Sequence, residues 1–142
     1  MDVARLKDDW VGFTFDEVEF DVDHDEALEY AQACGETDPR FTDPTHQDFQ
    51  APINFTARFV GRRMFPKDFP RFGKGGFDAG KCVQALAAVR PGERLVARSL
   101  LHDIYEKTGR SGGMVFIVHR MEFRNESSEL VSVVDWRMVI QT

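Results

Sequence analysis

No apolar run in this 142-residue chain approaches the roughly 18–20 residues that a membrane-crossing helix needs, so no membrane role is expected. The first ten residues, MDVARLKDDW, lack the apolar core of a secretory leader, and the expected location is cytoplasmic. Cysteine is scarce. Cys34 and Cys82 stand far apart without metal-ligand spacing, which argues against a disulfide framework and for reduced, structural thiols. The four histidines are scattered, and no metal constellation emerges from them and the cysteines. Internal repeats, low-complexity tracts and an aromatic RNA-binding motif are all missing, and a net charge of −6 argues further against nucleic acid.

What is present fits one globular domain over residues 1–142, long enough to bury a core without staples. Charge is uneven: residues 1–50 carry a formal −12, the remainder +6. The basic part includes Arg58, Arg62, Arg63, Lys67, Arg71 and Lys74 in ARFVGRRMFPKDFPRFGKGG. Such a cluster suits a phosphate-bearing cofactor or an acidic carrier protein; the plainer alternative is a solvated helix face running into a loop.

Periodicity sketches the elements. FTFDEVEFDV alternates around Val18, Phe20 and Val22, a first strand. Asp23 and Glu26 resemble a capping box opening a helix through Cys34, with Ala27, Leu28, Ala31 and Cys34 as its apolar stripe and Gly35 as its stop. Phe41 to Gln50 reads as loop. Pro52 suits a first helical position, which predicts a second, more apolar helix over Pro52 to Met64, followed by a Pro/Gly-rich loop from Phe65 to Gly76. Four strands are expected after it: Phe77 to Val89, Leu95 to Glu106, Met114 to Arg124 and Leu130 to Ile140. RPGE, the hairpin signal KTGRSGG and NESSE punctuate them. Long antiparallel strands with one apolar helix make an α+β domain, a curved sheet around that helix.

Several stretches resemble one family. YAQACGETDPRF is similar to the hydratase loop of the MaoC-like dehydratases, whose pattern is Tyr, four residues, then Gly-Asp-x-Asn-Pro-x-His. APINF, RPGERL and IYEKTGRSGGMVFIVHRMEFRN resemble the N-terminal-type, fatty-acid-synthase-like half of that family. The resemblance covers roughly Val11 to Gln141 and implies a hot-dog fold, an antiparallel sheet wrapped around a long central helix, here Pro52 to Met64. It also implies 3-hydroxyacyl or enoyl thioesters on coenzyme A or acyl carrier protein as substrates, and no cofactor.

The same resemblance exposes a defect. In active members the Asp after the Gly and the His five residues later act on opposite ends of the eliminated water. Here Glu36 holds the Asp position, Asp38 the Asn position and Phe41 the His position, and a phenyl ring transfers no proton. His46 lies ten residues after Glu36, so Glu36, Asp38 and His46 are the candidate catalytic residues of a degenerate loop. Glu36 and Asp38 have the alternative role of capping loop amides. His119, flanked by Ile117 and Met121 on its strand face, reads as a packed structural histidine. In the family the start of the central helix points at the thioester carbonyl, which makes Pro52, Ile53, Asn54 and Phe55 candidate substrate contacts. Arg62, Arg63 and Lys67 are the candidate phosphate contacts.

The family pairs two hot-dog units, one often degenerate and accommodating a bulky acyl chain. The chain therefore reads as the acyl-accommodating, non-catalytic subunit of a heteromeric (3R)-hydroxyacyl-thioester dehydratase or enoyl-thioester hydratase, inactive alone. Two rivals stand beside it: a homodimeric hydratase or thioesterase using Glu36, Asp38 or His46, and a non-catalytic protein that binds acyl-coenzyme A or acyl carriers.

Overall fold

Period-two burial is clearest in the centre of the sheet. In β4 (Gly112–Arg124), Val115, Ile117, His119, Met121 and Phe123 all turn to one face and are buried there. The computed structural model describes residues 1–110 and 112–142. Its elements are α1 (Val3–Trp10), β1 (Thr14–Asp21), α2 (His24–Ala33), α3 (Pro39–Thr42), a 3-10 turn (Phe55–Arg58), β2 (Gly75–Ala85), β3 (Arg94–Gly109), β4, and β5 (Leu130–Gln141). The five strands form one curved antiparallel sheet in the order β1-β3-β4-β5-β2, a hot-dog fold of the α+β class. Leu101, His119, Trp136 and Lys81 stand opposite one another in a row across β3, β4, β5 and β2.

Two apolar clusters fill the buried face of β4 from its two ends. One gathers Ala27 of α2 with Val22, Phe55, Leu95, Ala97 and Phe123. The other gathers Leu6 of α1 with Leu101, Ile104, Val115, Ile117 and Met138, and Phe65, Phe69 and Phe72 pack against it. Among the described residues no helix is long and apolar enough to cross a membrane.

The expected strands all form, with β3 reaching Gly109 beyond the expected end at Glu106 and β2 stopping at Ala85 before Val89. Gly109 and Gly112 pair across the hairpin expected at KTGRSGG; Ser111 lies outside the described residues. α2 begins as its cap predicts, Asp23 accepting a hydrogen bond from the Glu26 amide at 2.9 Å, and Gly35 beyond its end adopts φ +70°. The Glu26 carboxylate does not close the box; it pairs with Arg58 at 2.8 Å instead. Pro39–Thr42 makes one helical turn that overlaps the first two residues of the expected loop, and α1 was not foreseen: Asp2 caps it and Leu6 anchors it.

One expectation needs correcting. The long helix over Pro52 to Met64 is a single 3-10 turn, Phe55–Arg58. Asn54, Phe55, Thr56, Phe59, Val60 and Gly61 are all weak helix formers, and tertiary contacts supply better partners. Phe59 turns extended (φ −78°, ψ 139°) and stacks on Phe20 at 4.4 Å between ring centroids. Asp16 of β1 accepts the amides of Arg62 and Arg63 at 2.8 and 3.2 Å, drawing that stretch to the sheet rather than into a helical ladder. The groove of the sheet is therefore filled by the ten-residue α2 and the irregular segment 51–60 together.

Candidate functional site

The loop after α2 is held by its own polar side chains. Asp38 accepts from the Arg40 amide at 2.9 Å and from its guanidinium at 2.7 and 3.1 Å, which lowers the Asp38 pKa. A carboxylate so held is a cap and an ion-pair partner, a poor base. Phe41 is buried at 7% exposure. His46 Nδ1 accepts from the Asp48 amide at 3.0 Å, so its proton sits on Nε2. Asp48 is in turn pinned by Arg90 of RPGERL at 2.7 Å. Among the described residues neither Glu36 nor Asp38 hydrogen-bonds His46. The three candidate groups thus share one loop but make no acid–base pair. His24 sits in the first turn of α2 and His102 is exposed on β3.

The Pro52 to Phe55 stretch meets the end of α2. The Tyr30 hydroxyl donates to the Asn54 carbonyl at 3.2 Å, and the Asn54 amide group reaches Cys34 Sγ at 4.0 Å. Burial, and then the neighbouring Cys34, raise the Tyr30 pKa. The Phe55 amide is taken by the Pro52 carbonyl at 2.9 Å, whereas those of Ile53 and Asn54 find no protein acceptor among the described residues. Two donors remain at this exposed turn, without a long helix behind them to add its dipole.

The basic segment divides. Arg58 lies over Phe55 and pairs with Glu26; Arg62 pairs with the buried Asp16 at 3.2 Å. Arg63, Lys67, Arg71 and Lys74 make no ion pair among the described residues. With the helix gone, these charges belong to an irregular strap, not to a helix face.

Beside that strap lies an apolar hollow of about 580 Å³, between residues 64–78 and strand β5. Phe65, Phe69, Phe72, Phe77, Trp136 and Met138 line it, with Arg71, Lys74 and Asp78 as its charged groups. Sequence reasoning missed this place. The phenylalanines of FPKDFPRFGKGGF have no helical or strand period, and only their density was a signal.

A family model described as "FAS1-like, dehydratase domain region" matches residues 9–134. The chain belongs to that family. It is a MaoC-like hot-dog domain, and solved structures share its fold. A MaoC-like dehydratase from Rhodospirillum rubrum is 19% identical, with 92% of each chain covered and a TM-score of 0.59. The C-terminally truncated HadBC (3R-hydroxyacyl-ACP dehydratase) complex from Mycobacterium tuberculosis is 20% identical over 92% of this chain and 93% of that one, with a TM-score of 0.61. The ChsH1–ChsH2 complex from the same organism is 16% identical over 98% and 88%, with a TM-score of 0.67. No curated protein matches the sequence. The family brings hydratase or dehydratase chemistry to the fold.

Proposed function

We propose that this chain is the acyl-accommodating subunit of a (3R)-hydroxyacyl-thioester dehydratase or enoyl-thioester hydratase, and that a second hot-dog chain supplies the acid and base. The observation that carries this reading is Phe41, buried at the imidazole position in a loop whose Asp38 is already held by Arg40. General acid–base assistance is worth about 100- to 10,000-fold, and a loop without its imidazole forgoes most of it. The free edge of β2 favours a partner. Along it and the adjoining segment 53–64 lie Ile53, Val60, Met64, Phe77 and Leu86, five of the seven large apolar side chains left exposed. An unpaired edge flanked by apolar surface is a template for strand pairing or a protein contact. Two of the similar structures are named as complexes, HadBC and ChsH1–ChsH2, which supports the pairing of unlike subunits.

Arg63 and Lys67, free of ion pairs, are the strap cations best placed to meet a phosphate-bearing carrier, with Arg62 constrained by Asp16. Ile53 and Asn54 offer amides to the thioester carbonyl. The test is reconstitution with an unlike hot-dog subunit carrying the intact Asp and His, assayed on enoyl-coenzyme A. Activity is expected only in the mixture, and it should vanish when the partner's Asp and His are replaced. Activity of the isolated chain that is lost in Glu36→Gln or His46→Ala would establish the homodimeric enzyme instead.

A further inference from the structure

The strap that stands where a helix was expected is tied to the sheet by two charged side chains. Near its start the Lys81 ammonium of β2 donates to the Ala57 carbonyl at 2.7 Å and lies over the Trp136 ring at 4.6 Å. Further on, Asp16 of β1, its side chain only 4% exposed, accepts the amides of Arg62 and Arg63 and pairs with the Arg62 guanidinium. Gly61 passes so close that an added Cβ would lie 2.9 Å from the Asp16 carboxylate and 3.4 Å from Ser99 Oγ.

A buried base senses both ties. His119 of β4 is 2% exposed, and neither ring nitrogen has a hydrogen-bond partner among the described residues. Phe15, the chain neighbour of Asp16, and Trp136, which stands opposite Lys81, close on the ring at 5.5 and 6.4 Å. The charges that act on it are those of Lys81 and Asp16, with opposite effects on its proton affinity. Its cross-strand neighbours, Leu101 of β3 and Trp136 of β5, are uncharged, and the strap brings Arg62, already committed to Asp16. An imidazolium formed here is costly while it stays buried and unpaired. It would draw the Asp16 carboxylate away from the Arg62 and Arg63 amides and repel the Lys81 ammonium from the Ala57 carbonyl. One proton thus loosens both ties.

We propose that His119 is a proton-operated latch, and that protonation of its ring releases residues 57–64 from the sheet. That stretch carries Val60 and Met64, exposed at 54% and 38%, so its release rearranges the apolar surface beside β2. Only groups of this chain take part, and the latch is independent of which chain pairs with it.

Amide hydrogen exchange of the full chain, read by NMR and corrected for the intrinsic effect of pH, tests it. With the His119 pKa at about 4 in the closed state and at its ordinary 6.5 once the strap opens, the opening constant should rise about 30-fold from about pH 8 to about pH 5. The Arg62 and Arg63 amides should lose that much protection. About 1 M urea should barely change their rates, because a local opening exposes little surface. His119→Gln should abolish the acceleration, and so should His119→Leu, which keeps the volume and serves if the glutamine variant does not fold. Lys81→Met should speed exchange at about pH 8 by removing one tie, and should shrink the change on acidification by removing the repelling charge. The latch is overturned if the acceleration survives in the histidine variants, since another group would then be releasing the strap. It is overturned equally if the Arg62 and Arg63 amides exchange only in step with the core amides of β4 and with the same urea dependence, which is global unfolding, or if Lys81→Met changes neither rate.

Discussion

Acidification from neutral pH towards pH 4 should destabilise this protein chiefly through His119, ahead of the carboxylates, which titrate lower. Its ring lies at 2% exposure in the middle of β4, packed between Phe15 at 5.5 Å and Trp136 at 6.4 Å, and neither ring nitrogen has a hydrogen-bond partner among the described residues. Burial, helped by the nearby Lys81 ammonium and opposed by Asp16, pushes its pKa down to about 4 from 6.5. The unfolded chain therefore binds a proton below pH 6.5 that the folded chain refuses until about pH 4. Stability contributed by this group is fully present above pH 6.5 and is lost as pH falls from 6.5 towards 4. A difference of about 2.5 pH units corresponds to about 3 kcal/mol, a sizeable share of the margin of a small domain. His119→Leu removes the titration at nearly constant volume. Urea unfolding followed by circular dichroism from pH 8 to pH 4 should show the wild type losing about 3 kcal/mol more than the variant over that range. At pH 7 the variant should be equally stable or about 1 kcal/mol more stable, since two unpartnered buried nitrogens disappear. Parallel stability curves for the two proteins would refute the reasoning.

Two further substitutions probe how the irregular strap is held. Asp16→Ala frees the amides of Arg62 and Arg63 and should cost about 2–3 kcal/mol in urea unfolding, with faster amide exchange confined to residues 59–64. Thr56 and Ser132 share a buried hydroxyl–hydroxyl hydrogen bond of 2.7 Å. Thr56→Val should cost about 1–2 kcal/mol by stranding Ser132, and adding Ser132→Ala should recover most of it, a coupling that a double-mutant cycle measures directly.

The sequence by itself determined the strands and α2. Period-two alternation from Val115 to Phe123 puts one face of β4 in the core, and a one-residue slip would invert it; Leu130 to Ile140 reads as a strand from its β-branched and apolar run, buried on both faces at Val131 to Val134. Asp23 and Gly35 mark α2 because a cap and a positive-φ stop are local requirements, met by neighbours in the chain. The candidate loop of Glu36, Asp38, Phe41 and His46 was likewise legible as one local stretch, since its residues are neighbours in the chain. Only the tertiary structure decided the fate of Pro52 to Met64. Its apolar pattern fits a helix, but Asp16, some 46 residues earlier, captures the Arg62 amide, and Phe20 captures the Phe59 ring. The hollow beside β2 was invisible for a related reason. Phe65, Phe69, Phe72 and Phe77 converge because the strap is tied at Gly73 and Lys74 to the last residues of β5, and that tie spans about half the chain. His119 was readable as a packed residue. That its nitrogens lack partners was not, because the side chains facing it come from β1 and β5, and only the paired sheet places Phe15 and Trp136 against the ring where a donor or acceptor would otherwise stand.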